Sequence, residues 1–550
     1  MPLFKWVFLV ITFSLPTIWS LFRPGYFPMH DDLQVMRLWQ MDKCIRDLQI
    51  PCRWVPDMGY GFGYPQFNYY GPLPYYIMEA FHLLGFNLLD SVKIGFALAL
   101  ILGNVTIFFL SRYFFGTLPG VLSALVYAYS PFRASDLYSR GAMGETWAFV
   151  FIPLLFLSLS KLIQKPTIKT AAFLALSLAG LLTSHNISSL IFAPLAAIFS
   201  IYYLYLYRHN LKQSLLYLSS TVFWGVAIAA FFFLPVVFEK NLAHVESMTS
   251  GYFNFLAHFV TLKQLFLTTF WAYGSSEIGP TDDLSFFIGP LQLLFFLLAF
   301  LLALLNLTRR RDRKTAGLIL LLAFLFILSV FMTHQKSTII WQSLPLLSYL
   351  QFPWRFLVPA TFLSSLAAGY TLINLKPKKW LLLSSFILLF LFNAAFFTPK
   401  GWINLTPEEK LSGDSFDRQM TISIFDYLPK SAAKPPGAPA PLLPESLSGK
   451  VAISDYRKKS NLINFSAESQ QGGKIRLPLF NFPGWQIRIN NKEVNHQAAD
   501  DSGLIVFDLP PGKNLVSARL TDTPVRLIGN LLTLIFAPLA VYYSLRHEKA

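Results

Sequence analysis

The chain has 550 residues, of which 54% are hydrophobic and only 13% charged, and its mean hydropathy is +0.48. Such a composition excludes an ordinary soluble protein and indicates a polytopic membrane protein. The formal net charge of +16 would suit nucleic acid, but its distribution along the chain excludes that reading.

In chain order, the stretch at 6–21 resembles a signal peptide but ends without a clear small-x-small cleavage site, so it reads as a first retained helix. Further apolar runs fall near 93–111, 117–131, 147–163, 168–184, 187–206, 215–237, 285–306, 315–332, 354–374, 380–397 and 525–545. Each is matched to ~30 Å of hydrocarbon, which gives about twelve spans in all, the run at 117–131 being the shortest. The tract 73–86 is apolar but broken by Glu79, His82 and Gly85, and reads as an interfacial or re-entrant helix.

With the N-terminus inside, the basic residues collect in the inner segments. These include the run Arg309, Arg310, Arg311, Arg313 and Lys314, then Lys376, Lys378, Lys379, Arg546 and Lys549, and their only acids are Asp312 and Glu548. The positive charge is thus a topology signal that sets both termini in the cytoplasm. Three regions follow: 1–397, a transmembrane domain with a first outer loop at 22–92; 398–524, an outer domain; and 525–550, a final helix with a cytoplasmic tail. The outer domain passes through a Pro-rich linker at 429–444 and then shows about six to eight short strand-like runs, the pattern of a small β-sandwich.

The first outer loop carries His30, Asp31 and Asp32, and either acid is placed to cap a helix through 33–48. Beyond Pro51 the loop is dense in Tyr, Gly and Pro, which suits either a lid over an acceptor or an aromatic belt. Cys44 and Cys52 either pair across RDLQIP or remain two small unpaired residues.

Polar residues that interrupt the apolar runs gather at outer helix ends: Tyr138, Arg140 and Glu145 in YSRGAMGE, His185 and Asn186 in LLTSHN, and Arg355 in LQFPWRFL. Ionisable groups at membrane depth are costly, so their convergence on one face argues for a site. Asp31 or Asp32 can accept a proton from a hydroxyl or hold a divalent cation such as Mg or Mn. Arg140 and Arg355 offer planar forks for phosphate oxygens, and His185 can bind phosphate, act as an acid or orient a carboxylate. Each also has a plain structural reading: capping for Asp32, His185 and Asn186, the helix dipole for Glu145, and snorkelling or ion pairing for the arginines. The chain has no Gly-rich phosphate loop, zinc-ligand spacing or nucleophile elbow.

The acidic pair, the many spans and the outer C-terminal domain resemble the GT-C superfamily of membrane glycosyltransferases. HDD, YSRGAMGE, SHN, FPWRF, and the tail FPGWQIRINNKEV with LPPGKNLVSARL more closely resemble the YfhO-like bacterial membrane proteins and the related 6-pyruvoyl-tetrahydropterin synthase-related membrane proteins. The latter label implies no pterin chemistry. The tail departs from that pattern in having Asn490-Asn491 where the family often has an Asp-Gly turn.

The resemblance implies transfer of a sugar from a polyprenyl-phosphate donor to a glycan, lipid or protein acceptor, at the outer face of the cytoplasmic membrane. Asp31 or Asp32 would then be the catalytic base or cation ligand, with His30, Tyr138, Arg140, Glu145, His185, Asn186 and Arg355 around the substrates. Two other readings compete: a transporter or flippase of a lipid-linked sugar, which needs polar groups through the membrane depth, and a non-catalytic envelope assembly factor.

Overall fold

The computed structural model describes residues 2–277, 282–375 and 378–546. Lys376, Glu548 and Lys549 of the inner charge pattern lie outside the described residues. Among these residues eight helices are long and apolar enough to cross a membrane, or nine if one bent pair counts as a span. A C-terminal β domain follows, so the chain is a polytopic α-helical protein with a β-sandwich. The expected count of about twelve is corrected on two grounds. Leu3–Thr17, Thr117–Ala128 and Ile168–Ser184 are apolar helices but short. The run at 215–237 is not one straight helix, because Leu211–Ile228 and Ala230–Phe238 meet at an 88° bend.

A break at membrane depth must have its backbone groups satisfied locally. Here Thr533 of the final helix does so: its hydroxyl accepts from Phe231 N (3.0 Å) and donates to Ile228 O (3.0 Å). The final helix can approach this closely because Gly529 lies against the bend, where a Cβ would stand 2.5 Å from Ala230 O.

Two helices form the centre of the bundle. In the span Met143–Gln164 83% of the apolar window is buried within the protein, and in Pro353–Ile373 94%. The other candidate spans are less buried, from 17% to 61%. The interior also holds polar pairs, which sequence reading missed. Arg133 donates to Asn104 Oδ1 (2.5 Å) and Tyr127 O (3.0 Å), and Asn393 joins Gln292 Oε1 (3.2 Å) to Tyr129 O (2.9 Å). These pairs link helices and are closed on backbone carbonyls.

The C-terminal β domain has nine strands: β1 (Glu445–Ser448), β2 (Ala452–Lys458), β3 (Leu462–Ser469), β4 (Gly473–Phe480), β5 (Trp485–Ile489), β6 (Lys492–Val494), β7 (Gln497–Ala499), β8 (Leu504–Leu509) and β9 (Gly512–Leu520). They pair antiparallel in two sheets, β1-β4-β8-β7 and β2-β3-β9-β5-β6. Alternation puts Ile463, Phe465 and Ala467 of β3 inward, with Val516 and Ala518 of β9 buried beside them. Between β5 and β6, Asn490 (φ 48°) and Asn491 (φ 68°) both adopt the left-handed conformation of a two-residue hairpin turn. Asparagine is tolerated there, so the turn that Asp-Gly would make is kept.

The Tyr- and Gly-rich part of the first loop is neither a free lid nor a belt, but the floor on which this domain sits. Trp54 packs on Phe482 and Trp485 (5.7 Å between centroids in each case), and Phe62 on Phe480 (5.5 Å). The buried ammonium of Lys458 donates to Gly61 O (2.6 Å) and Pro56 O (3.1 Å). Cys44 and Cys52 form a disulfide.

The domain is tied to the membrane part through Glu239, at the end of the bent pair. Its carboxylate accepts from Arg526 Nε (2.9 Å), Asn68 Nδ2 (3.0 Å) and Thr523 Oγ1 (2.5 Å). Arg526 is buried, so removing Glu239 leaves a guanidinium in the interior with its charge uncompensated. Glu239→Ala is expected to destabilise the protein by about 3–5 kcal/mol. A melt of the detergent-solubilised variant no lower than the parent's would show that the pair does not hold this junction.

Candidate functional site

The segment between the short helix Thr117–Ala128 and the central span Met143–Gln164 is irregular. A turn at Pro131–Ala134 leads into a wide turn at Ser135–Ser139, then Arg140 and Gly141. Gly141 has φ +67°, and a Cβ there would stand 2.2 Å from Met29 Sδ, so only glycine lets the first loop come this close. The first loop then pairs with this segment through its backbone. His30 N donates to Ser139 O and Asp31 N to Arg140 O, each at 2.9 Å. Gln34 Nε2 adds a bond to Gly141 O (2.9 Å).

This pairing removes the capping role. Helix Gln34–Arg46 starts after Leu33 and has no side-chain cap, so neither aspartate caps it. Asp31 Oδ2 instead accepts from Arg37 Nη1 (2.8 Å) and Gln34 Nε2 (3.1 Å). Arg37 also reaches the Tyr70 hydroxyl (3.2 Å) and lies over its ring (4.3 Å to the centroid). Tyr75 closes the ring of contacts by donating to Gln34 Oε1 (2.5 Å). Asp32 turns the other way, to Lys410 Nζ of the segment that leads to the β domain (2.5 Å), and its Oδ1 is buried without a hydrogen-bond partner. Burial raises the Asp32 carboxyl above its usual range, against the pull of Lys410.

Next to Asp31 lies a second cluster, at the first turns of the two central spans. Arg140 Nη1 contacts Asp136 Oδ1 and donates to Glu145 Oε1 (2.9 Å). Its guanidinium stacks over Trp354 (4.4 Å to the ring centroid). Glu145 extends its other oxygen toward Arg355 Nε (3.8 Å). Arg355 Nη1 donates to Leu350 O (2.8 Å) and Gln351 Oε1 (2.9 Å), while its Nε is buried without a hydrogen-bond partner. His185 caps the helix Asn186–Leu206, its Nδ1 accepting from Ser188 N (3.3 Å), and it lies in the field of Glu145, Arg355 and Arg140. Gly144 and Gly71 make room for this turn, since a Cβ on either would come within 2.8 Å or 2.3 Å of Ser184 O.

The structure thus brings Asp31, Arg140, Glu145, His185 and Arg355 into one polar cluster, with Tyr70 in the electrostatic reach of both Asp31 and Arg355. It does not bring in Tyr138, Asn186 or the Asp32 carboxylate. The Tyr138 hydroxyl donates to Thr17 O (2.8 Å) with its ring buried against Phe27 and Phe397. Asn186 Oδ1 accepts from the next residue, Ile187 N (3.0 Å). His30 is exposed and joins the site through its backbone.

Sequence reading missed Arg37, Tyr70, Trp354, Asp136 and Asp426. Arg37 shares a helical face with Asp31's neighbour Gln34, a signal present but unread. Asp426 is half-buried in a segment 394 positions from Asp32, and nothing local announces that it faces Arg37 and Asp31. No group of three or more His, Cys, Asp or Glu side chains stands ready to hold a metal among the described residues. Asp31 and Asp32 each face a cation of the protein itself, so this donor set does not fit a dedicated divalent-cation site.

Comparison with known proteins assigns the family. Residues 67–398 match the model for the 6-pyruvoyl-tetrahydropterin synthase related domain of membrane proteins, and the chain belongs to that family. An uncharacterized protein of Lactococcus lactis subsp. cremoris (strain MG1363) is 22% identical over 260 residues, 46% of this chain and 41% of its own length. The chain thus spans less than half of that curated relative. Among solved structures, arabinofuranosyltransferase AftD from mycobacteria is similar over 74% of this chain and 28% of its own, at 15% identity and a TM-score of 0.46. ArnT from Cupriavidus metallidurans, bound to undecaprenyl phosphate, is similar over 69% and 62%, at 14% identity and a TM-score of 0.42. The Archaeoglobus fulgidus oligosaccharyltransferase with a tethered acceptor peptide is similar over 73% and 56%, at 11% identity and a TM-score of 0.44.

Burial pushes the Asp426 carboxyl up to about 7 from 3.8, in spite of Arg37. A raised acid holds its proton more tightly in the folded state, so this group lowers stability as pH rises between those two values. Asp426→Asn removes the term. The variant's melting temperature should gain on the parent's from pH ~4 to ~7 and hold a constant margin above that. A margin already constant below pH ~5 would mean that Asp426 ionises like a surface aspartate.

Proposed function

We propose that the protein is a membrane glycosyltransferase that takes a sugar from a polyprenyl-phosphate donor and passes it to an acceptor hydroxyl at the outer face of the cytoplasmic membrane. One observation carries this reading. The arginines of two buried span ends, Arg140 and Arg355, share the carboxylate of Glu145 beside an aspartate held by backbone pairing to Arg140 itself. Phosphate-matching forks and a carboxylate base are the two parts that such a transfer needs. The motif resemblance to GT-C enzymes supports the same chemistry, and the inner-side basic residues support cytoplasmic termini with the β domain outside.

In this mechanism the donor phosphate lies against Arg355, with Arg140 and His185 assisting. Asp31 takes the proton of the acceptor hydroxyl, whose oxygen attacks the anomeric carbon as the bond to phosphate breaks. The sugar carbon inverts, and the polyprenyl phosphate leaves with the bonding electron pair. Holding base, acceptor and leaving group together is the main catalytic device. No step is assigned to a divalent cation, because the residues present do not form a site for one. Asp31 is chosen over Asp32 because it adjoins the arginine cluster, whereas Asp32 ties down the outer domain through Lys410. The acceptor is a glycan, a lipid or a protein.

Two variants test the assignment with purified protein and a panel of polyprenyl-phosphate sugars. Asp31→Asn should abolish transfer with the fold intact, whereas Asp32→Asn should keep most of it; the reverse order would move the base to Asp32. Arg355→Lys keeps the charge but loses the fork, and should slow turnover by ~2–4 kcal/mol in barrier while changing donor binding less. Movement of donor across vesicles without any sugar transfer would replace this reading with a flippase.

A further inference from the structure

The disulfide Cys44–Cys52 closes a small loop whose side chains are sorted by direction. Gln49 points in. Its side-chain oxygen accepts from Arg53 N (2.8 Å) and Trp54 N (2.9 Å), and its amide donates to Trp54 O (3.0 Å). With Gln49 so pinned, Leu48 and Ile50 on either side point out, and they are 82% and 66% exposed. Leu48 is also held at φ +59°, a left-handed conformation that an L side chain adopts at a cost. A large apolar residue is thus both strained and bare, on the outer side of the chain's charge pattern. Scattered exposed leucines need no account, but these two have neighbours.

The loop's depth is fixed from two directions. Its disulfide end is bonded to the helix Leu73–Leu83, where the Tyr76 hydroxyl accepts from Cys52 N (2.9 Å) and His82 approaches Asp42 (3.8 Å). That helix runs out through Leu83, Leu84 and Phe86, all exposed, and into the long span Leu88–Phe115 capped by Asn87. On the other side Asp47 Oδ2 accepts from Ser460 N (2.6 Å) in the β2–β3 turn. The adjacent Asn461 O accepts from Leu520 N (3.0 Å), at the end of β9 and just before the final helix begins at Pro524. The loop therefore lies between the outer ends of two membrane helices. Two exposed basic side chains rim it, Arg46 (64% exposed), paired with Asp42 (2.6 Å), and Lys459 (57% exposed), 3.8 Å from Asp47; both leave donors free toward the surroundings.

We propose that the disulfide-closed loop 47–51 is a lipid-insertion surface: Leu48 and Ile50 enter the outer leaflet beside Leu83, Leu84 and Phe86, and Arg46 and Lys459 meet phospholipid headgroups. An apolar tip with a basic rim at the level of span ends is the arrangement of an interfacial membrane anchor. It places a second attachment between the outer domain and the bilayer, in addition to the final helix. The inference does not depend on the glycosyltransferase reading.

The test uses the full native chain in nanodiscs of phosphatidylcholine and phosphatidylglycerol that contain a phosphatidylcholine with a diazirine near the glycerol. After irradiation and reduction, peptides are mapped by mass spectrometry. Adducts are expected on the peptides carrying residues 48–50 and 83–86, and not on the β9 peptide 513–517, which carries exposed Leu515 in the β domain as the comparison. In the double variant Leu48→Asp, Ile50→Asp, with its disulfide and melting temperature verified, labelling of the loop should fall to the level of 513–517. Absence of loop adducts in the native chain while 83–86 is labelled would overturn the proposal. So would a crosslink from the loop to a second copy of the chain or another protein in place of lipid. Loop labelling unchanged in the verified double variant would overturn it as well, by showing that the two side chains do not carry the insertion.

Discussion

A charge at the edge of the hydrocarbon can be kept only if another charge or a dense set of hydrogen bonds meets it, and the centre of this protein is organised around that constraint. Glu145 is its pivot. One oxygen holds Arg140 at 2.9 Å and the other faces Arg355 at 3.8 Å, so one carboxylate joins the N-terminal ends of the two most buried spans. Arg140 is further fixed by stacking on Trp354, one residue from Arg355, so its guanidinium is held in both direction and plane. The carbonyls of Ser139, Arg140 and Gly141 then serve as the template on which His30, Asp31 and Gln34 are laid. The position of the aspartate thus follows from the arginine pair.

The C-terminal β domain and the segment leading to it are part of the same arrangement. Lys410 reaches back to Asp32, the Tyr64 hydroxyl meets Ser423 Oγ at 2.7 Å, and Tyr427 stacks on Tyr69 at 5.8 Å. The segment from Lys410 to Tyr427 is therefore a strap across the first outer loop, and it brings Asp426 toward Arg37 and Asp31. The two adjacent aspartates are chemically unequal as a result. One is embedded among the membrane-domain arginines, and the other is a fastening point for the strap.

Much of the fold was legible in the sequence because it depends on local properties. Apolar length announces a span and alternation announces a strand. The bend at Ala229 was not legible, because it is stabilised by Thr533 and Gly529, some three hundred residues away. At the site, Arg355 was readable as a charge just after Pro353 at the start of an apolar run, and Glu145 as an acid at a helix start. Arg37 and Asp136 were hidden, since a charged residue on a loop helix ordinarily faces water. The reading of Asp32 as a cap failed for a definite reason. The backbone before the helix is committed to the carbonyls of 139–141, so the helix starts after Leu33, with Asp31 drawn to Arg37 and Asp32 to distant Lys410. Tyr138 lies two residues from Arg140 in sequence, but the wide turn at 135–139 sends its ring into the core.

The charge balance of the arginine cluster bears on what it can hold. With Asp136 and Glu145 both ionised, the two carboxylates cancel Arg140 and Arg355, and an arriving phosphate would gain little. The two acids do not have equal surroundings, however. Glu145 stands between both guanidinium groups, whereas Asp136 is wholly buried, pairs with Arg140 but not Arg355, and accepts from Thr146 Oγ1 (3.4 Å). Burial, with the charge of Glu145 beside it, raises the Asp136 carboxyl well above its ordinary value. Glu145 is thus the carboxylate that spans both guanidinium groups, and the burial that raises Asp136 opposes a second negative charge beside it. In the proposed glycosyltransferase, two guanidinium groups oriented on one shared carboxylate are the electrostatic basis for holding a lipid phosphate.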